Sequence, residues 1–267
     1  MHSNDNPAEA AAADKARERE KESAARASLR FVHNGDAVGL GTGSTAAYVI
    51  RLLGERVQAG LKIRAIATSV RSQELAASVG IPLVTFAECQ QLDIAIDGAD
   101  EIDPQLCLIK GGGGALLREK VVASAARQFV VIADSTKLVP VLGKFPLPVE
   151  VIPFAQALVS KRIAGLGATA SLRMAKQGGP FITDEGHHIL DCGFAQIPDP
   201  AGLARILSGI PGVVEHGLFV GMTNVAFGIR PPFGLKLLVL ICSVAFCEGG
   251  GGNGISNSKL LRLLATR

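Results

Sequence analysis

Residues 97–120 read DGADEIDPQLCLIKGGGGALLREK, and the apolar run Ile94–Ile96 leads straight into them. Such a run reads as a buried strand, which puts Asp97 where the strand ends. Leu106–Ile109 is a second short apolar run, with Lys110 at its end in the same way. In open parallel sheets ligands bind just beyond the carboxyl ends of strands, so both charges point at one site. Gly111–Gly114 leaves the backbone bare and allows close approach to a ligand. A helix expected over Ala115–Ala126 then carries Glu119 on its second turn, near the glycines. Taken singly, these residues are explained by turns, helix caps and a solvated helix face. Taken together they are not, because four consecutive glycines cost chain entropy and the flanking segments are tightly apolar. The carboxylates of Asp97, Asp100 and Glu119, the Lys110 ammonium and a side-chain-free loop converge on one pocket.

Upstream, the strand Ala37–Leu40 is followed by Gly41-Thr42-Gly43-Ser44-Thr45 and a helix through Leu53. A glycine loop that opens a helix offers free N–H groups and hydroxyls to a phosphate. The loop lacks the lysine of a P-loop and the third glycine of a dinucleotide fingerprint, and an N-cap in a tight turn explains it about as well. Leu61–Ala67 and Ile81–Phe86 read as further strands around a helix at Ser72–Val79. Downstream, Phe129–Ala133 is an apolar strand ending in Asp134-Ser135-Thr136-Lys137, so Lys137 joins the polar rim. Alternating strands and helices predict an α/β fold, a Rossmann-like parallel-sheet domain with helices on both faces.

The character changes at Gly143. LGKFPLPVEVIP holds three prolines, and beyond it helices at Phe154–Leu166 and Pro200–Leu207 and strands at Thr169–Arg173 and Ile189–Cys192 describe a smaller α+β domain. Buried-strand character returns at Gly217. The expected organisation is an extension over 1–20, disordered to about residue 13 and running into a charged helix from Asp14 to Arg30, then a sheet domain over 21–142 and 217–247, an inserted α+β domain over 143–216, and an atypical tail over 248–267.

Composition narrows the function classes. The chain has 267 residues, a net charge of +3, one tyrosine and no tryptophan. So small a charge argues against nucleic acid or an anionic membrane as partner, and the aromatic poverty argues against a stacking or protein-binding surface. A modest positive balance suits a small phosphorylated substrate. The five cysteines show no C-x-x-C pair and no ligand rhythm with the five histidines, so they read as buried thiols in a reducing compartment. His187–His188, in TDEGHH, is expected at the surface. No signal-peptide pattern opens the chain, and the longest apolar run, Leu237–Cys247, is about half a membrane span. A cytoplasmic location is expected.

Six motifs, GLGTGSTAA, IDGADEID, IKGGGGALLREK, IADSTK, LGKFPLPVEVIP and IPGVVEHGLF, occur in one order between about Lys21 and Lys236. In sequence and spacing they resemble type A ribose-5-phosphate isomerases. The resemblance implies an aldose–ketose isomerase of ribose 5-phosphate and ribulose 5-phosphate in the pentose phosphate pathway, forming a homodimer or larger homo-oligomer. It implies substrate contacts from Thr42, Gly43, Ser44 and Thr45, with the phosphate near Ser44 and Thr45 and helped by Lys137 and Lys21. Asp97, Gly98, Ala99, Asp100, Lys110, Gly111, Gly112 and Gly113 would line the sugar, and Glu119 matches the family's proton-shuttling base. The ends depart from the pattern: Gly228-Ile229-Arg230-Pro231-Pro232 replaces a Thr-Pro turn, and the tail after Lys236 has no counterpart.

The chemistry read from the residues agrees. Isomerisation needs a base that carries a proton between C1 and C2, which a carboxylate can do, and a cation beside the enediolate oxygen, for which Lys110 is available. Opening the furanose ring needs an acid–base group, with Asp97 the first choice and Asp100 the second. No redox step or bond cleavage occurs, so no cofactor is required, and no metal is expected because no histidine, cysteine or acid cluster has ligand spacing. One rival is a sugar-phosphate sensor that binds without turnover, but the segment before the first matched helix has neither the length nor the basic face of a DNA-binding helix pair. Another is a nucleotide enzyme using Gly39–Gly43, for which the nearest acidic residue, Glu55, lies too early and on a helix.

Overall fold

Apolar segments that alternate with amphipathic ones build a layered sheet, and the computed structural model describes residues 7–229 and 237–241 of it. Helix α1 (Pro7–Ser28) leads to β1 (Ala37–Leu40), α2 (Ser44–Gln58), β2 (Arg64–Ala67), α3 (Val70–Ser78) and β3 (Leu92–Gly98). Two short strands, β4 (Glu101–Ile102) and β5 (Leu108–Ile109), precede α4 (Leu116–Ala125) and β6 (Ala126–Ala133). Then follow β7 (Leu147–Val151), α5 (Gln156–Ala164), β8 (Thr169–Leu172), β9 (His188–Gly193), α6 (Pro200–Ser208) and β10 (Val213–His216). Strands β11 (Leu218–Phe219), β12 (Val225–Ile229) and β13 (Leu237–Ile241) close the described chain.

The main sheet has the order β13-β12-β6-β3-β1-β2. Its pairs are parallel except β12 with β13. From β1 the chain steps one way to β2 and then back past β1 to β3, so the strand order reverses between β1 and β3. Ligands of such sheets bind at the carboxyl ends beside that reversal. Here those ends carry the Gly41–Thr45 loop and Asp97. Both faces of the sheet are covered, which is why its strands read as continuous apolar runs. Ile94, Ile96, Val130 and Ile132 enter one core with α1 and α2, while Ala95, Phe129 and Val131 enter the opposite one with α4. Phe129, Phe219 and Phe227 are fully buried, each contributing about 1.5–3 kcal/mol.

The structure departs from expectation in five places. Residues 7–13, expected to be disordered, belong to α1, so the charged helix expected from Asp14 starts a full turn or more earlier, at Pro7. Exposed pairs such as Arg26–Glu22, 2.8 Å apart, contribute only about 0.3–0.5 kcal/mol. What holds the helix is its packing: Ala24 and Ala25 are fully buried against the main core. Ile81–Phe86 forms no strand but one bridge, Ala65 to Leu83, because Pro82 lacks the N–H a ladder needs. The run ending at Lys110 is not a strand of the parallel sheet; β5 lies between β4 and β11 in a separate antiparallel sheet. The proline-rich boundary holds a strand, β7, paired with β9 and β10 in the sheet β10-β7-β9-β8. Pro148 is tolerated there because Gly217, which faces it after β10, donates to Pro148 O at 2.7 Å while its own carbonyl accepts from Lys110 N–H, so no ladder bond needs a donor from Pro148. His187 is half-buried, its Nδ1 3.0 Å from Glu150, where exposure was expected.

Cys89 and Cys192 are buried and Cys107 partly so, while Cys242, Cys247, the Pro231-Pro232 segment and the 248–267 tail lie outside the described residues. Among the described residues no helix is long and apolar enough to cross a membrane.

Candidate active site

Asp97 leaves β3 with its side chain turned back toward the loop after β1. Its Oδ1 accepts hydrogen bonds from the backbone N–H of Thr42, at 3.0 Å, and of Gly98, at 2.7 Å. The approach is so close that a Cβ on Gly41 would stand 2.0 Å from that oxygen, so only glycine fits there. Asp97 thereby locks the phosphate-cradle loop to the central strand.

Lys110 follows β5, and its backbone N–H donates to Gly217 O at 2.9 Å. Its Nζ donates to Gly98 O at 2.5 Å and lies 2.9 Å from Asp97 Oδ2 and 3.2 Å from Glu119 Oε2. The ring of Phe219 lies 5.4 Å away on a further side. Asp97, Lys110 and Glu119 are 3%, 2% and 4% exposed, so two carboxylates share one ammonium out of water. Burial alone would lower the lysine, but Asp97 and Glu119 outweigh it and hold Lys110 above its ordinary range.

The carboxylates compete for that cation. Burial raises Asp97, against the pull of Lys110 and the two N–H donors. Burial pushes Glu119 up to about 8; Lys110 opposes this and the Asp97 charge adds to it. Of the pair, Glu119 is the one to hold a proton. Asp97 has two backbone donors besides Lys110, whereas Lys110 is the one donor beside Glu119 among the described residues. If Glu119 is the base, it must be ionised to act. The acid limb of kcat/KM, which reports the free enzyme, is expected toward pH 8, well above the 4.5 of an ordinary glutamate. A limb in the ordinary range, measured across buffers of constant ionic strength, would contradict this arrangement.

Helix α4 begins at Leu116, so Glu119 lies in its first turn, not the second. Asp100 ties the turn after β3 to the glycine loop: its N–H donates to Ile109 O at 2.8 Å, and its Oδ2 accepts from Gly112 N–H at 2.8 Å. One cleft of about 420 Å³ is lined by Glu119, Lys110, Asp100, Gly98, Ala99 and Gly111–Gly113. Thr42, Gly43, Ser44, Thr45, Lys137 and Lys21 line it as well. Among the expected site residues only Asp97 stands behind this wall, its oxygens spent on Lys110 and on the loop. The Thr42 hydroxyl is also committed, lying 2.7–2.8 Å from those of Thr68 and Ser69. Ser44 and Thr45 open α2, whose N-terminus faces the cleft with partial positive charge. Lys137 sits on a short 3-10 turn that Asp134 caps through Thr136 N–H at 3.1 Å, and Glu20 of α1 accepts from Ser135 N–H at 2.8 Å. Helix α1 thus borders the cleft beside Lys137.

Three further residues, Arg17, Asp134 and Thr136, line the cleft. Arg17 was findable, since it precedes Lys21 by four residues and shares its helix face. Asp134 and Thr136 belong to the strand-end segment Asp134-Ser135-Thr136-Lys137, in which charge at the strand end marks only the lysine as a ligand for phosphate.

The sequence profile described as ribose 5-phosphate isomerase A (phosphoriboisomerase A) matches residues 64–230. A relative from Parvibaculum lavamentivorans, "Ribose-5-phosphate isomerase A", is 52% identical over 213 residues, covering 78% of this chain and 92% of its own. The solved ribose 5-phosphate isomerase A of Methanocaldococcus jannaschii superposes with a TM-score of 0.79 at 42% identity, over 84% of this chain and 99% of that one. The ribose 5-phosphate isomerase of Plasmodium falciparum gives 0.80 at 36% identity, over 85% and 100%.

Proposed function

The chain belongs to the ribose 5-phosphate isomerase A family, and we propose that the cleft around Glu119 carries out the aldose–ketose isomerisation of D-ribose 5-phosphate and D-ribulose 5-phosphate. The observation that carries this reading is the buried Glu119, raised toward neutrality and 3.2 Å from a lysine that two carboxylates keep charged. In the open-chain aldose Glu119 takes the C2 proton, the electron pair moves toward the C1 oxygen, and Lys110 steadies the enediolate oxygen. The same carboxyl returns the proton to C1, while a proton moves from the C2 hydroxyl to the C1 oxygen, leaving the ketose. No external electron donor or acceptor enters.

Ring opening is assigned to Asp100, which lines the cleft, rather than to Asp97, whose role becomes the positioning of Lys110 and of the Thr42 loop. The phosphate lies against the α2 N-terminus with Ser44 and Thr45, and between Lys137 and Lys21. A sensor that binds without turnover has no use for a carboxyl poised to exchange protons. The same reading includes a homodimer or larger homo-oligomer and a cytoplasmic location, and it divides the described chain into a sheet domain and an α+β domain over 143–216.

Ribulose 5-phosphate formation by purified protein tests the reaction, and Lys137→Ala tests the orientation. A contact to the phosphate, which does not react, acts equally on ground and transition states. The variant is expected to raise KM about tenfold with kcat within about twofold. Lost turnover at an unchanged KM would move Lys137 into the chemistry.

A further inference from the structure

The glycine loop is gripped from outside the sheet that carries the site. Arg173, just past β8, donates from Nη1 to Gly111 O at 3.0 Å and to Gly112 O at 3.3 Å. Its guanidinium is held in turn by Asp191 of β9: Nε donates to Oδ2 at 2.9 Å, and Nη2 donates to Oδ1. Phe181 lies 5.9 Å from the guanidinium and abuts Gly114, where an added Cβ would stand 2.5 Å from the ring. The Arg173 side chain is 14% exposed, so the fork is largely shielded.

In a trans peptide the C=O and N–H point in opposite directions. Anchoring the Gly111 carbonyl on Arg173 turns the Gly112 N–H the other way, onto Asp100. Anchoring the Gly112 carbonyl turns the Gly113 N–H away from Arg173 toward the cleft, and no acceptor among the described residues takes it. One guanidinium thus orients two successive peptides, one holding a carboxylate and one left open to a substrate oxygen.

We propose that Arg173, held by Asp191, is a positioning residue that fixes the Gly112 N–H on Asp100 and aims the Gly113 N–H at the reacting end of the substrate. The α+β segment is then a working part of the active site. The proposal rests on the isomerase reading given above. A lysine cannot replace the arginine, because a point charge cannot span a bidentate carboxylate and two carbonyls at once.

The test compares the parent with Arg173→Ala and Arg173→Lys by kcat, KM for ribose 5-phosphate, and Tm. Misplacing the loop by a fraction of an ångström is expected to lower kcat about 10- to 100-fold with KM within about threefold. Arg173→Lys keeps a cation beside Asp191, so it should lose kcat while holding a Tm near the parent's. Millimolar guanidinium should restore kcat several-fold in Arg173→Ala and leave the parent unchanged. A structural role alone would lower Tm and spare the kcat of the folded fraction. If Arg173→Ala fails to fold, Arg173→Lys decides the matter. An active parent whose Arg173→Lys variant keeps kcat within about twofold overturns the clamp alone. A parent without turnover overturns the isomerase reading, and the clamp with it.

Discussion

Glu119→Gln is expected to bind ribose 5-phosphate and to turn it over about 10²–10⁴ times more slowly than the parent, the usual contribution of a positioned general base. The amide keeps the shape of the side chain and an oxygen facing Lys110 Nζ, which stands 3.2 Å from the carboxylate in the parent. It cannot accept the C2 proton. In deuterated water the parent should wash label into the sugar, because the proton rests on an exchangeable carboxyl between its two transfers. The variant should show neither label nor product, yet substrate should still raise its Tm by binding the native state. Near-normal turnover would remove Glu119 from the chemistry and make Asp100 the next base to examine.

The same substitution should leave stability intact or improve it. Glu119 is raised from 4.5 to about 8 in the folded chain, so between those values the native state binds more protons than the unfolded one. Stability from this group is therefore fully present below the unfolded value and is lost as pH rises through the folded one. A glutamine does not titrate. Relative to the parent, Glu119→Gln should gain stability as pH climbs through this window, seen as a rising difference in urea midpoint. The carboxylate is kept against its own burial cost, as expected of a group retained for reactivity.

Lys110→Met should fail in both respects. Deleting the shared cation leaves Asp97 and Glu119 buried without a counter-charge, and breaking a buried pair in this way costs about 3–5 kcal/mol. The enediolate loses its cation as well, so turnover should vanish. The deficit has a pH signature. Without the lysine both carboxyls have folded values raised further, so their contribution is present in acid and lost as pH rises. In the parent, Lys110 is raised above its unfolded value and keeps its contribution until pH passes its folded one. Urea midpoints of parent and variant should therefore lie closer at pH 5 than at pH 8. A uniform deficit across that range would show that lost packing, and not the uncompensated charge, is what the substitution costs.

How far the site could be read in advance depended on what each residue needed from its neighbours. Asp97, Lys110, the glycines and Glu119 lie within 23 residues, so a short stretch of chain brought them to one place whatever the rest did. The strands β1, β3 and β6 were legible because helices on both faces of a parallel sheet leave no solvent side, and the segments are apolar throughout. Helix α1 was legible from Asp14 in its alternating charges and hidden over 7–13, where the sequence is low in complexity; its fully buried residues, Ala24 and Ala25, lie well downstream. Strand β7 was hidden by Pro148, which argues against a central strand unless the facing carbonyl, here that of Gly217, has another donor in Lys110 N–H.

The sequence by itself determined the residue types, their spacing and the alternation that makes a parallel sheet. Those follow from local sterics and from apolar period, which neighbours in the chain carry. Only the tertiary structure decided which groups share a charge and which hold a proton. Asp97 and Asp100 are three residues apart and look alike as text, yet one is buried behind Lys110 and the other borders the cleft. It also decided that Arg17 and Arg173, 156 positions apart, both reach the substrate cleft or its glycine loop. Desolvation and charge pairing depend on separations of a few ångströms between remote segments, and no local pattern encodes them.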